Sequence, residues 1–430
     1  MELDEIIRDN SLNEVVYRKK YDNGLDAYVI PKKGFSKCFA SVTVKYGSND
    51  SNFMNSNDEN PIKVPDGVAH FLEHKMFEKE YGSVFDKFDK LGVSANAYTT
   101  NTHTSYYFVS TDNYYEALDV LLDAVQTPYF TYETVEKEKG IIIQELKMYD
   151  DDPDREIYNN LLNAMYIKHP IKIDVGGTVD SVKSIDKDIL YLCHSTFYRP
   201  GNMVYLSVGD VEPQTVFDYL NSRIKLRGDG DIVRIYPDEP VEINNDYVES
   251  SMDVSIPLMV LGFKDNKREG SHRLLLKRYV EISFALEALF GRSSELYSEL
   301  YNEGMITSNF GYEYEIENDY GFAVVSCAAK SPQAVNERIK DVISDKKEKG
   351  INEEEFMKAK KVMKGAIIKV FDSIETLGYL YNSFMVKGIN IFEYLDMVNK
   401  TTISEVNSAW RELMDFDKAV TSVVLPREKN

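Results

Sequence analysis

Residues 70–74 read His-Phe-Leu-Glu-His. On a helix, His70 and His74 stand at i and i+4, so both imidazoles project from one face and can take two corners of a tetrahedral zinc site. Glu73, at i+3 from His70, lies on the same side but aims elsewhere. That placement suits a base that contacts a metal-bound water and not the metal. The order is the reverse of HExxH. The chain holds only 6 histidines, which makes an accidental match an event on the order of one in a hundred.

Two ligands do not hold a catalytic zinc, which takes three from the protein and keeps a fourth position open. His103, His169, His194 and His272 show no paired spacing, so a carboxylate is the better place to look. Glu138 and Glu145 flank Ile141-Ile142-Ile143 on a helical pattern, seven residues apart and so on nearly one stripe. On pattern alone, each also reads as a solvated helix residue.

The elements that must carry these groups follow from hydrophobic periodicity and turn residues. Segments 26–31 and 38–46 are β-branched and aromatic and read as strands, and the polar stretch 48–60 as a loop. Val68, Phe71, Leu72 and Met76 recur at helical spacing, which predicts a helix over 68–77 behind Pro65-Asp66-Gly67. A strand pair is expected at 94–98 and 105–110, then helices at 114–126 and 134–149, the latter stopped by Asp150-Asp151-Asp152-Pro153. Helices at 154–165 and 187–197 and a strand at 203–208 complete the first half. Gly, Pro and charge over 227–240 mark a boundary, which gives domains of 1–230 and 231–430. The second half restarts with a strand at 254–263, a long helix at 274–290, strands at 310–315 and 321–328, and then helices to the end. Both halves thus read as α+β domains of similar plan, without a residue-level repeat.

Composition narrows the partners. With 50 Lys+Arg against 71 Asp+Glu the net charge is −21, a surface that repels polyphosphate and disfavours nucleic acid or anionic membrane while tolerating cationic or unstructured peptide. Cys38, Cys193 and Cys327 are far apart and form no CxxC pair, so they read as buried free thiols. The start Met1-Glu2-Leu3-Asp4-Glu5 lacks a signal-peptide pattern, and no apolar run nears the ~18 residues that span a bilayer. A cytoplasmic setting without membrane insertion is expected. Ser48–Asn52 and Asp150–Asp154 are acidic enough to suggest calcium loops but lack the Gly and terminal Glu of an EF-hand.

The sequence resembles the pitrilysin/insulysin family of inverted zinc metallopeptidases, which includes the mitochondrial processing peptidase, and most of all its bacterial members of this length. The resemblance runs through Pro65-Asp66-Gly67-Val68-Ala69-His70-Phe71-Leu72-Glu73-His74-Lys75-Met76-Phe77 and Ser94-Ala95-Asn96-Ala97-Tyr98-Thr99. It continues through residues 136–145 and Phe197-Tyr198-Arg199-Pro200-Gly201-Asn202-Met203. It implies His70, His74 and Glu145 as ligands of one Zn2+ per chain, Glu73 as general base and Glu138 as a supporting acid. It also implies Asn96 and Ala97 on an edge strand that pairs with substrate backbone, a mode that tolerates many side chains. The implied fold is two related α+β domains, each an antiparallel or mixed sheet with helices on one side, forming half of a clamshell chamber. The implied substrates are short or unfolded peptides.

The chain departs from the family in its second half. Relatives supply an arginine and a tyrosine to the substrate carbonyl, but here Tyr301 stands where the arginine is expected and Thr307 or Ser308 near the tyrosine. The resemblance therefore implies a zinc site with an incomplete carbonyl-binding apparatus. A homologous subunit without the zinc motif, in a heterodimer, would complete it; a homodimer, or a monomer using donors such as Arg292, is the alternative. A non-catalytic scaffold or peptide-binding subunit is the other class, against which the intact His70, Glu73, His74 and Glu145 argue.

Overall fold

A computed structural model of the chain describes residues 5–9, 12–55, 59–225, 231–267 and 270–427. Residues 227–230 of the expected boundary at 227–240 lie outside the described residues, as do 56–58 of the expected loop. The chain divides into two compact units: Met1–Leu146 with Ile173–Ile235 and Ile368–Gly388, and Lys147–Lys172 with Tyr236–Ile367 and Ile389–Asn430. Relative to a cut at residue 230, the first half lends Lys147–Lys172 to the second unit, and the second half lends residues 231–235 and Ile368–Gly388 to the first.

The first unit holds a 7-stranded sheet. Its order is Glu5–Asp9, Glu14–Lys20, Asp26–Pro31, Met203–Gly209, Cys38–Val44, Thr104–Ser110, Ser94–Thr99. Only Asp26–Pro31 and Met203–Gly209 run parallel; every other neighbouring pair is antiparallel. The strands alternate faces, so Ala40, Val42, Tyr106 and Phe108 enter one core with Phe71, Leu72 and Met76 of helix Val68–Met76 and Leu118 and Leu121 of helix Tyr114–Gln126. Ser41 and Ser105 point to the other face, where both bond Asn382 of helix Ile374–Val386.

In the second unit the 5-stranded sheet runs Tyr247–Met252, Ala419–Pro426, Leu258–Lys264, Gly321–Ala328, Gly311–Ile316. The first two are parallel and the rest antiparallel. Helix Pro153–Met165 packs Ile157, Leu161 and Met165 on one face against Val260, Phe322 and Val424. The long helix His272–Phe290 is buried along most of its length, including 284–290. The five-strand pattern matches that of Asp26–Pro31 through Ser94–Thr99, so the similar plan expected from sequence is present as topology.

Three expectations need correction. The polar stretch read as a loop contains strand Asn52–Asn55, which pairs with Ile62–Lys63 and Ile232–Arg234. Helices do not continue to the end: Ala419–Pro426 is a strand inserted between two others. The strand expected from 254 begins at Leu258, after Pro257, which has no N–H for a ladder. Among the described residues, no helix is long and apolar enough to cross a membrane.

Candidate metal centre

The histidine helix, Val68–Met76, starts at a tight corner. Gly67 has φ 87°, in the left-handed region, and a Cβ there would lie 2.4 Å from the Gly176 carbonyl oxygen. Gly177, φ +79°, would place a Cβ 2.5 Å from the Asp66 carbonyl oxygen. Two backbones therefore meet at a distance only glycine allows, and this fixes where the helix begins. Its buried face (Val68, Ala69, Phe71, Leu72, Lys75, Met76) leaves His70, Glu73 and His74 half-buried on the opposite side. Lys75, though fully buried, pairs with Glu78.

Helix Tyr132–Tyr149 brings the carboxylates. Val135 and Ile142 are its buried residues, and Glu138 and Glu145 lie half-buried beside that stripe. Glu145 Oε1 is 3.8 Å from His70 Nε2, and Glu145 Oε2 is 3.5 Å from His74 Nε2. One ligand atom from each of His70, His74 and Glu145 lies within 4.8 Å of the others. Two ligands of a tetrahedral zinc are about 3.3 Å apart when metal–ligand distances are about 2.0–2.2 Å. The trio fits zinc in spacing and in donor chemistry, two imidazoles and a carboxylate.

Glu138 stands behind this trio, its Oε1 3.0 Å from His74 Nδ1. An ionised carboxylate only accepts, so this bond favours the tautomer with the proton on Nδ1, which leaves the Nε2 lone pair available to a metal. Burial opposes charge on His74, but the hydrogen bond and charge of Glu138, with Glu73 and Glu145 nearby, raise its pKa above the ordinary value. Burial is also the main reason the Glu73 carboxyl is held above its usual range; Glu145 adds to the rise, while Thr99 and His74 oppose it.

Asn96 and Ala97 lie on Ser94–Thr99, the terminal strand of the sheet, which pairs with Thr104–Ser110. The Thr100 N–H bonds the His103 carbonyl at 2.8 Å, so 100 and 103 form a hydrogen-bonded pair. By ladder alternation Thr99 and Ala97 then fall in non-hydrogen-bonded pairs, their main-chain groups turned from the partner strand toward the edge. In agreement, the Ala97 N–H bonds the Asn96 side-chain Oδ1 at 2.8 Å.

One contact at the site lies beyond what the sequence alone indicates: Thr99 Oγ1 donates to Glu73 Oε2 at 2.6 Å. Period-2 alternation, which puts Thr99 on the face of Ala95 and Ala97, is the available signal. Tyr301, by contrast, is exposed on helix Glu295–Asn302 and stacks on Tyr297; Ser308 and Arg292 are exposed and Thr307 is half-buried. The acidic stretches have structural partners. Asp50 accepts the Gly47 N–H and pairs with Arg234, and Asp152 caps helix Pro153–Met165.

Comparison with known proteins matches residues 32–179 to "Insulinase (Peptidase family M16)" and residues 184–363 to "Peptidase M16 inactive domain". An uncharacterized zinc protease of Bacillus subtilis, YmfH, is 38% identical over 97% of this chain and 98% of its own length. A second uncharacterized zinc protease of that organism, YmxG, is 25% identical over 83% of this chain and 88% of its own. The crystal structure of an M16-like protein from Alicyclobacillus acidocaldarius superposes with a TM-score of 0.93 at 33% identity, covering 98% of this chain and 100% of that one.

Proposed function

Because the chain belongs to the insulinase family, peptidase family M16, we propose that it is a zinc-dependent endopeptidase acting on short or unfolded peptides, with one zinc per chain. The convergence of His70, His74 and Glu145, with Glu73 beside them and Glu138 behind, carries this reading. All five residues fall within the 32–179 match and none within the inactive-domain match. Zinc held there supplies Lewis acidity, acidifying water and polarising a carbonyl.

The remaining chemistry belongs to the chain's own residues. Glu73 takes the proton of the attacking water and delivers it to the leaving amine as the peptide bond breaks. Glu138 holds His74 in the tautomer that presents Nε2. The edge of Ser94–Thr99, at Ala97 and Asn96, pairs with extended peptide main chain and selects little by side chain. A donor for the oxyanion is still needed, and with Tyr301 in place of arginine we assign it to a homologous chain that lacks the zinc motif. The three cysteines are free, in keeping with the reducing, cytoplasmic setting of this reading; burial pushes the Cys193 and Cys327 thiols up to about 12, which makes them inert.

Zinc analysis of the chain and its Glu73→Gln variant, with a quenched-peptide assay on both, alone and with co-purifying homologue, tests this. About one zinc in each protein, with cleavage by wild type and not by Glu73→Gln when the homologue is present, is the expected result; full activity of wild type alone overturns the assignment of the oxyanion donor to a second chain. Zinc without cleavage until the homologue is added assigns half of a two-chain enzyme. Absence of zinc overturns the peptidase reading in favour of a peptide-binding subunit.

A further inference from the structure

Resting on that reading of the site, we propose that Thr99 is a positioning residue for the general base: its hydroxyl pins one oxygen of Glu73 while its main chain faces the edge where substrate pairs. One residue then ties peptide docking to the aim of the base.

Proton counting supports the first half. Thr99 Oγ1 lies 2.6 Å from Glu73 Oε2 and 3.3 Å from Thr104 Oγ1. A threonine hydroxyl has one proton. That of Thr104 goes to the Tyr46 carbonyl, a pure acceptor 2.9 Å away. Thr99 therefore donates to the carboxylate, at a length typical of a charge-assisted O–H···O⁻ bond. This bond fixes the direction in which Glu73 Oε2 points, and with it the aim of the carboxylate toward the attacking water. The β-branched side chain has few χ1 choices on a strand, so the donor stays where it is aimed.

Register supports the second half. Thr99 pairs with Thr104 at the end of the ladder, next to the hydrogen-bonded 100/103 pair. Its own N–H and C=O thus turn toward the open edge, as do those of Ala97. The short Oγ1–Oγ1 approach fits this assignment, because side chains sit closer in non-hydrogen-bonded pairs. A substrate strand that pairs at Ala97 and Thr99 is consequently indexed to the residue that holds the base. A slip of one residue would break both the pairing and that indexing.

The test uses zinc-loaded wild type, Thr99→Val, Thr99→Ser, Glu73→Gln and the double variant Thr99→Val/Glu73→Gln, each assayed with the co-purifying homologue. Valine keeps the branched shape and removes the donor. Thr99→Val is expected to lower kcat by about 10- to 100-fold, the scale for losing a partner that orients a functional group, with KM within about twofold. Thr99→Ser should restore most of the rate. Zinc affinity, read by chelator competition, should not change, and in the Glu73→Gln background the valine should cost nothing more.

A Thr99→Val enzyme with kcat within about twofold of wild type overturns the assignment; so does a Thr99→Ser enzyme as impaired as Thr99→Val, or zinc affinity that falls in parallel. Should wild type hold zinc yet cleave nothing even with the homologue added, the peptidase reading fails on its own. Crystal structures of zinc-loaded wild type and Thr99→Val then decide the Thr99 role. A Glu73 carboxylate turned away in the variant upholds it, and an unmoved one overturns it.

Discussion

The two units use one strand plan for different ends. Asp26–Pro31, Met203–Gly209, Cys38–Val44, Thr104–Ser110 and Ser94–Thr99 correspond in order and direction to Tyr247–Met252, Ala419–Pro426, Leu258–Lys264, Gly321–Ala328 and Gly311–Ile316. In each unit, a helix after the third strand of that order touches the terminal strand through a carboxylate. In the first unit this is Glu73 with Thr99; in the second, Glu287 of His272–Phe290 accepts from Tyr312. Around Glu73 stand two histidines and Glu145. On the second unit's helix stands Arg278, bonded to Asp265, which also accepts from Tyr314 at 2.7 Å. Helix Tyr132–Tyr149 carries Glu138 and Glu145, whereas its counterpart Glu353–Val370 has acids only in its first turn. The fold thus supplies a helix beside an open strand, and the side chains facing that junction decide between chemistry and stability.

The strongest way to break this contrast is at the two glutamates. Glu73→Gln should cut cleavage by about 10²- to 10⁴-fold, the range for general-base catalysis, with zinc content and thermal midpoint near wild type. Cleavage that survives would remove the functional distinction between the junctions. Glu138→Gln comes next. It keeps the shape but weakens the partner of His74 Nδ1, so zinc affinity by chelator competition should fall about 10- to 100-fold. An unchanged affinity would make Glu138 a bystander.

How much of this is legible in the sequence follows the range of the interactions. Helix Val68–Met76 is readable because its candidate ligands and its buried face share one local period, and Glu138 and Glu145 because both lie on one stripe. The Thr99–Glu73 bond spans two elements that no local pattern joins, and the sequence shows only that Thr99 shares a face with Ala97. Strands Glu5–Asp9 and Glu14–Lys20 escape the pattern because charge dilutes their β-branched residues. Ala419–Pro426 escapes it despite Val420, Val423 and Val424, because a run of helices precedes it. Helix Pro153–Met165 is legible, but not that it packs on the second unit's sheet; Ile374–Val386 packs on the first in the same way. Which surface a helix covers is a tertiary fact, and propensity is silent about it.

A smaller effect sharpens the second unit's side. Tyr312→Phe removes the donor to Glu287, whose carboxyl burial already holds above its usual range. A buried acceptor left without its donor costs about 1–3 kcal/mol. Denaturant melts should therefore show a lower midpoint at unchanged slope, while zinc affinity stays at the wild-type value. A Tyr312→Phe protein that loses zinc but not stability would mean that the second junction serves the metal after all.

The smallest effect concerns Glu405, which sits at the start of helix Ile403–Leu413, accepts the Thr402 N–H at 2.9 Å and receives Lys277 Nζ at 2.8 Å from the long helix. The Lys277 and Thr402 hydrogen bonds lower its pKa from 4.5 to about 2. A folded pKa below the unfolded one means stability present above about pH 4.5 and lost as pH falls toward 2. Its side chain is 37% exposed, so solvent screening holds the contribution to about 1 kcal/mol or less. The difference in thermal midpoint between wild type and Glu405→Gln should be largest near pH 6 and shrink steadily below pH 4.5, with zinc affinity at pH 7 equal in the two proteins. If the ionised groups of the second unit are there for stability alone, this proton is felt by the fold and not by the metal; a pH-independent difference would show that the Lys277 pair contributes nothing and that packing at the helix end does the holding.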